Sequence, residues 1–191
     1  RMSGVEYLKS MPMTNDLREQ LGQVLLDTDT VFSIVLKESK KAVLMMSVKN
    51  SGVELPSTTQ IIVKGNVKPW LYEFGGIVAP YPKVSAGATG MGVNVTSPEP
   101  DAVVRKMPML IRIDNKIYPS MILENVRLLN NSKRIKVIAK EHGIEEVLVS
   151  KKAGVPVNHN AEMYINYADP SRYVNMSATD ILTDNFNENK L

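Results

Sequence analysis

The chain has 191 residues, a length that suits one domain with a core of ordinary size. It contains no cysteine, which excludes disulfides, thiolate metal ligands and thiol catalysis, and predicts a reducing compartment or a particle assembled in one. Its 23 basic and 20 acidic residues leave a net charge of +3, so we expect only weak, salt-sensitive attraction to polyanions.

The N-terminal segment predicts an arm with one amphipathic helix. Residues 1–13 hold no apolar run behind a basic start, and no stretch approaches the ~18 apolar residues of a membrane helix, so we expect neither a signal peptide nor a membrane span. From Asp16 onward apolar residues recur at helical spacing, and Asp16 and Glu19 are spaced as a capping box. We therefore predict an N-terminal arm and helix over residues 1–30.

Short runs of β-branched residues follow and change the predicted structure to strands. VFSIVLK (31–37) and AVLMMSVK (42–49) are predicted strands joined by a hairpin turn. QIIVKG (60–65) is a third predicted strand, which a turn-rich segment separates from the hairpin. The chain is therefore expected to be mainly β from residue 31 onward.

An aromatic cluster lies among prolines after the third strand. The prolines confine this segment to sheet edges, bulges or loops. Two interpretations stay open, a corner of the core or a set of anchors at a protein interface, where Trp and Tyr supply much of the binding energy. The candidate interface residues are Trp70, Tyr72, Phe74 and Tyr81.

Residues 83–102 are rich in glycine and other small residues, and they predict a long exposed loop. The glycines resemble a phosphate-binding loop at first sight, but their spacing is not that of a nucleotide fingerprint and no amphipathic helix follows. We expect a loop tip that becomes ordered against a neighbouring protein. Its candidate interface residues are Gly87, Gly90 and Gly92.

The alternation of apolar residues resumes after the loop. MPMLIRI (107–113) and IYPSMILENVRL (117–128) are predicted strands of a hairpin that turns at Asp114-Asn115. RIKVIAK (134–140) alternates basic and apolar residues and predicts a strand with a solvated basic edge. A further hairpin turning near Gly143 completes the predicted strands.

These elements predict a mainly β, α+β fold. Many short strands, one early helix and one long loop favour a small split β-barrel or sandwich over an alternating α/β fold. We divide the chain into the N-terminal arm and helix (1–30), a β-barrel domain (31–152) and a C-terminal extension (153–191) with a short helix predicted at 177–182.

No arrangement of residue types indicates catalysis. His142 and His159 have no partner at metal-ligand spacing, and no nucleophile elbow is present. Glu145 and Glu146 are neighbours in a strand and would point to opposite faces, which does not suit an acid–base pair. We therefore expect a protein that is not an enzyme and that has no catalytic, metal or cofactor site.

Basic residues cluster along the chain, and a β-barrel with basic strands can bind nucleic acid. Aromatic residues make up only 6% of the chain and lie mostly away from these clusters, so no stacking platform is evident. The basic residues are Lys37, Lys40, Lys41, Lys133, Arg134, Lys136, Lys140, Lys151 and Lys152.

The predicted hairpin and the basic strand after it carry a recognisable order of residues. Five positions form the pattern Tyr-x-x-Met-hydrophobic-Leu-x-x-hydrophobic, and they are Tyr118, Met121, Ile122, Leu123 and Val126. With the basic strand that follows, residues 107–147 resemble the distal-tail-like (Dit-like) proteins of contractile-tailed bacteriophages. The five residues would form the core of the hairpin.

The resemblance implies a structural virion protein of a bacteriophage tail or baseplate. Such a subunit would form an oligomeric ring, as a hub or tube-proximal ring, by assembly with copies of itself and with other tail and baseplate proteins. It would be assembled in the host bacterial cytoplasm, without a membrane or a small-molecule substrate, and nucleic acid is disfavoured as a partner. A β-barrel nucleic-acid-binding module is the alternative function.

Overall fold

The computed structural model describes residues 27–51, 59–96, 99–151, 153–169, 171, 177–179 and 183. The helix predicted around Asp16 lies outside these residues, as does half of the helix predicted at 177–182. The predicted fold class is confirmed, because the chain is mainly β with few helices and fits the α+β class. The sheets are mixed and do not close into a barrel.

Short strands alternate with a few helices along the chain. The helices are α1 (Thr28–Ser39), α2 (Pro82–Ser85) and α3 (Met121–Leu129), with a 3-10 turn at Lys68–Trp70. The strands are β1 (Val43–Lys49), β2 (Gln60–Lys64), β3 (Tyr72–Glu73), β4 (Gly76–Val78), β5 (Gly90–Asn94), β6 (Lys106–Pro108), β7 (Leu110–Ile113), β8 (Lys116–Pro119), β9 (Arg134–Lys140), β10 (Gly143–Leu148), β11 (Gly154–Val155) and β12 (Glu162–Tyr164).

The four-stranded sheet, in the order β11-β10-β9-β2, has one buried face and one solvated face. Strand β9 pairs antiparallel with β10 and parallel with β2. Because successive side chains of a strand point to opposite faces, the alternation in RIKVIAK separates the two faces. Ile135, Val137 and Ala139 are buried in a core cluster with Leu123 and Val147. Arg134, Lys136 and Lys140 lie on the opposite, exposed face.

Three smaller sheets complete the fold, in the orders β4-β1-β5, β3-β7-β8 and β12-β6. Strand β7 lies between two core clusters. Leu110 belongs to the cluster under the four-stranded sheet, whereas Ile111 and Ile113 belong to a second cluster with Met46 of β1 and Val93 of β5. The predicted strands at 42–49, 60–65 and 134–140 and the turn near Gly143 are confirmed.

Residues 31–37 form a helix, so the prediction of a strand there is wrong. The β-branched composition favoured a strand, but the spacing of apolar residues also suits a helix. In addition, a residue distant in sequence holds the first turn of this helix. Asp27 accepts hydrogen bonds from Thr30 Oγ1 at 2.7 Å and from Lys83 Nζ at 2.5 Å. The bond from Lys83, with that from Thr30, lowers the pKa of Asp27 to about 2.

The second strand of the predicted hairpin ends early, and the prediction of a strand over 117–128 is wrong after Pro119. Helix α3 begins at Met121, and the Oγ of its N-cap residue Ser120 accepts a hydrogen bond from the Leu123 N–H at 3.1 Å. The apolar residues at 122, 123 and 126 have helical spacing rather than a period of two.

Residues 83–102 contain α2 and the buried strand β5, so the prediction of one long exposed loop is wrong. Gly90 and Gly92 are buried where β5 contacts α3. A Cβ added to Gly92 would lie 2.4 Å from Met121 Cα, and one added to Gly90 would lie 2.3 Å from Glu124 Oε1. These glycines permit close packing of a strand against a helix.

Candidate functional site

A cleft of about 520 Å³ lies beside the solvated face of β2, β9 and β10. The pairing of the strands decides which side chains meet there, because Lys136 is opposite Ile62 on one side and Leu148 on the other. The cleft therefore has a cationic residue between two aliphatic residues. Its lining consists of Ile62, Ser132, Arg134, Lys136, Leu148, Val149, Ser150 and Lys151.

A second cavity, of about 590 Å³, adjoins the first and is polar. The two cavities share Ser132, Arg134 and Ser150, so they form one cleft with an aliphatic half and a polar half. The polar half is lined by Gln60, Asn130, Asn131, Ser132, Lys133, Arg134 and Ser150.

The loop between α3 and β9, residues 130–133, is held by hydrogen bonds at its centre. The Ser132 N–H donates to the Arg127 carbonyl at 3.0 Å, and Ser132 Oγ donates to the Arg134 carbonyl at 2.8 Å. The Arg127 guanidinium also donates to the Ser132 carbonyl. The backbone that presents Arg134 to the cleft is therefore attached to the end of α3.

The loop after β10 is tied in a similar way. The Ala153 N–H donates to Ser150 Oγ at 3.0 Å, and the Val149 N–H donates to the Ala153 carbonyl at 3.0 Å. Both loops that border the cleft thus have internal hydrogen bonds, and a largely preformed site pays little ordering entropy on binding.

A buried ion pair lies behind the cleft. Arg127 donates to both carboxylate oxygens of Glu124, at 2.6 and 2.9 Å, and Thr59 Oγ1 donates to Glu124 Oε1 at 2.7 Å. Glu124 is fully buried and Arg127 nearly so. Since this cation is paired internally, the charge available to a ligand comes from Arg134, Lys136 and their basic neighbours.

The electrostatic character of the cleft is positive. Among the residues that the structure describes, no acidic residue lines either cavity. In the described part of the chain, no carboxylate forms an ion pair with Arg134 or Lys136. Cationic side chains gathered in a concave site attract anions and can form charge-assisted hydrogen bonds with them. The arrangement suits a small anionic ligand.

The described residues do not form a metal site or a membrane-spanning helix. Within the described ranges, no three His, Asp or Glu side chains come together as metal ligands. Of the helices that the structure describes, none is long and apolar enough to cross a membrane.

The residues predicted from the resemblance do not line the cleft. Tyr118 and Leu123 are buried in the core, whereas Met121, Ile122 and Val126 are half-buried on α3. Four of these five residues are therefore helical, and the hairpin they were expected to form is absent at 121–128.

The predicted interface residues lie elsewhere in the fold. The ring of Trp70 packs edge-on against His159, with 6.2 Å between ring centroids, and Tyr72 Oη donates to Glu162 at 2.9 Å. Phe74 packs against the second core cluster and Tyr81 is half-buried. Gly87, Gly90 and Gly92 are buried rather than at an exposed loop tip. A protein contact of the four aromatic residues stays a prediction.

Sequence reasoning noted Arg134 and Lys136 as basic residues, but it did not assign them to a ligand site. It missed Ile62, Leu148 and Ser150 altogether. The alternation in RIKVIAK was the available signal for an exposed cationic face. The parallel pairing of β2 with β9 places Ile62 beside Lys136, and no local sequence pattern predicts this pairing.

A family model matches nearly the whole chain. The model of the CHASE2 domain, an extracellular sensory domain of signalling proteins, matches residues 5–191. No curated protein and no solved structure matches the chain significantly. The match covers nearly the whole chain, whereas the resemblance to phage proteins rested on residues 107–147.

This match overturns the phage interpretation. The Dit-like resemblance, the structural role in a tail or baseplate, the ring assembled from copies of the chain and tail proteins, and the virion location are all wrong. The alternative, a nucleic-acid-binding module, has no support either. CHASE2 domains occur in extracellular regions of membrane signalling proteins, so the reducing compartment or particle expected from the lack of cysteine is not the family's environment.

Proposed function

We propose, since the chain belongs to the CHASE2 domain family, that it is the extracellular sensory module of a signalling protein and that it detects a small anion in the cleft of β2, β9 and β10. The observation that carries the proposal is the lining of the cleft, in which the described residues include Arg134 and Lys136 but no acidic residue. The volume of each half lies in the range of ordinary ligand sites.

Each part of the lining has a role in this proposal. The planar guanidinium of Arg134 can donate two parallel hydrogen bonds to a carboxylate or phosphate, and the Lys136 ammonium adds a compact positive charge. Hydroxyl and amide groups around Ser132 supply neutral polar contacts in the same half of the cleft. The ligand would therefore be recognised by charge and by the geometry of its anionic group.

A ligand in the cleft can influence α3 through the loop at 130–133. Ser132 and Arg134 line the cleft, and Ser132 is bonded to Arg127, which is bonded to Glu124 within α3. A ligand that binds one arrangement of this loop more tightly than another shifts the population of the two arrangements. The proposed signal is such a shift at the end of α3.

The proposed action is binding without catalysis. None of the described residues that line the cleft is a His, Asp or Glu that could serve as a general base. Cationic, amide, hydroxyl and aliphatic groups can hold an anion in place. They do not provide a general base that would transfer its protons. This supports a sensor that releases its ligand unchanged.

The test is a titration of the folded chain with small anions by calorimetry, using acetate, inorganic phosphate and longer carboxylates. Arg134→Gln and Lys136→Gln should each weaken binding by about 10-fold or more, because a hydrogen bond to a charged group contributes about 1.5–3 kcal/mol. Lys140→Gln is the matched control, since Lys140 lies on the same strand and face but outside the cleft.

The control variant should bind as the unchanged chain does, because the Lys140–Glu145 pair is largely exposed and contributes little to stability. Binding that is equally insensitive to Arg134→Gln, Lys136→Gln and Lys140→Gln would place the ligand site elsewhere and reject the cleft.

A further inference from the structure

The two halves of the cleft differ in chemistry, and this difference restricts the ligand. One half has a wall of Ile62 and Leu148, while the other is polar and holds Lys133 and Arg134. Lys136 lines the cleft between Ile62 and Leu148, where its methylene stem can extend the aliphatic wall and its ammonium supplies positive charge. A ligand that occupies both halves needs an anionic end and an apolar end.

We propose that the ligand is an amphipathic organic anion, a carboxylate or phosphate joined to an aliphatic or aromatic group. This inference rests on the proposed function and specifies the class of ligand for the same site. The anionic group lies against Arg134 and Lys136, and the apolar group covers Ile62 and Leu148. An inorganic anion would meet the cations but leave the aliphatic wall in water.

The cleft favours this class over two simpler ones. The volume of about 520 Å³ in the aliphatic half is far larger than an inorganic phosphate needs, so charge alone does not account for it. A neutral apolar molecule would cover the wall but would leave two cations without a counter-charge. Burial of apolar area and charge pairing are satisfied together only by a molecule that has both parts.

The size of the expected effect follows from the burial of methylene groups. Each methylene removed from water strengthens binding roughly fourfold. Three methylenes on the wall would therefore give a gain of about 60-fold. Octanoate should accordingly bind more tightly than acetate by about this factor, although the two carry the same charge.

The test is calorimetric titration of the full chain with four probes: octanoate below its micelle concentration, acetate, inorganic phosphate and neutral 1-octanol. Octanoate should bind most tightly, and octanol should lose about 10-fold or more because it lacks the charge. Ile62→Thr should weaken the binding of octanoate but leave the binding of acetate unchanged. Arg134→Gln should weaken octanoate and acetate alike.

Matched variants keep the result interpretable. Val78→Thr makes a similar change at an exposed strand position outside the cleft, and it should leave octanoate binding unchanged. Leu148→Thr provides a second change in the aliphatic wall if Ile62→Thr melts below the working temperature. Thermal melts followed by circular dichroism establish that each variant is folded before titration.

Two failures can be told apart. In the first, phosphate or acetate binds as tightly as octanoate, and Arg134→Gln weakens binding while Ile62→Thr leaves octanoate binding unchanged. This result would overturn the amphipathic class of ligand but would leave anion sensing in the cleft intact. In the second, octanol binds as tightly as octanoate, and Arg134→Gln does not change the affinity for octanoate. This result would overturn both this inference and the proposed function.

Discussion

At the scale of single residues, Arg127 joins three parts of the molecule through one side chain. It pairs with Glu124 in its own helix, donates to the Ser132 carbonyl in the loop at the cleft, and through Glu124 reaches Thr59 before β2. Both ions are buried, so their mutual attraction mainly offsets the cost of removing them from water. The pair contributes little net stability, but neither ion can be removed alone without a large cost.

Arg127→Met should therefore lower the free energy of unfolding by about 3–5 kcal/mol, since the Glu124 carboxylate would stay buried without its cation. Urea unfolding measures this change. Arg105→Met is the control, because Arg105 forms an exposed pair with Asp101 and its loss should change the free energy of unfolding much less.

The double variant Arg127→Met/Glu124→Gln tests the cause of that loss. Removing the unpaired charge should restore part of the stability, because Thr59 can still donate to the amide oxygen. A double variant less stable than Arg127→Met alone would contradict this account of the pair.

At the scale of elements, the contact between β5 and α3 depends on glycine. β5 runs parallel to β1 in one sheet, and α3 crosses β5 where Gly90 and Gly92 carry no side chain. A helix normally lies further from a strand than this, because Cβ atoms keep the two backbones apart. The two glycines thus place Met121 and Glu124 directly against the strand.

Gly92→Ala should destabilise the fold by about 1–3 kcal/mol or more, because the new Cβ would meet the backbone of Met121, which cannot rotate away. Thermal and urea unfolding measure the loss. Gly154→Ala is the comparison, since its nearest atom is the flexible Leu148 Cδ2 at 3.3 Å. Gly154→Ala should be near neutral, and equal losses at the two positions would argue against close packing as the reason for Gly92.

At the scale of the whole molecule, Glu162 connects segments that are far apart in sequence. From β12 it accepts hydrogen bonds from Tyr72 Oη at 2.9 Å and Asn158 Nδ2 at 2.8 Å, and Lys106 Nζ of β6 lies 3.5 Å away. Burial acts to raise the pKa of Glu162, but the hydrogen bonds from Asn158 and Tyr72 and the charge of Lys106 outweigh it and keep the pKa below its ordinary value. The ionised form therefore stabilises the fold.

The sign of the pH dependence follows from this lowered pKa. The contribution of Glu162 is fully present above its ordinary value of 4.5 and is lost as the pH falls through the lower pKa of the folded state. Glu162→Gln should cost about 1–3 kcal/mol at neutral pH, and the gap to the unchanged chain should narrow as the solution becomes acidic.

Thermal melts at a series of pH values from neutral to acidic measure this gap. Glu145→Gln, which changes a partly exposed partner of Lys140, should show a much smaller gap at every pH. A gap for Glu162→Gln that widens on acidification would reverse the sign and reject the lowered pKa.

Family membership also belongs to the whole molecule. The phage resemblance relied on five residues of a predicted hairpin and on the basic strand after it, an arrangement that many β proteins could share. It assumed that residues 121–128 form a strand. In the structure a capped helix begins at Met121, so the side chains of these residues repeat with the helical period of 3.6 rather than the strand period of two. A short motif of common residues cannot identify a family when its secondary structure is wrongly assigned.

Strands whose two faces differ in polarity can be predicted from local sequence alone. The alternation in RIKVIAK predicts a strand with one buried and one basic face, and glycine predicts a turn near residue 143, where the structure has a φ of 130°. The mainly β class followed from these local patterns. These patterns can be recognised because the alternation of apolar and polar residues within each strand indicates which face is buried.

Features that depend on partners distant in sequence became visible in the folded chain. Residues 31–37 are helical although their composition favours a strand, Gly92 serves close packing rather than flexibility, and Ile62 meets Lys136 through a parallel pairing. The physical reason is the same in each case: local propensity amounts to less than about 1 kcal/mol per residue, and packing against a distant segment can exceed it. The cleft exists because that pairing brings β2 beside β9.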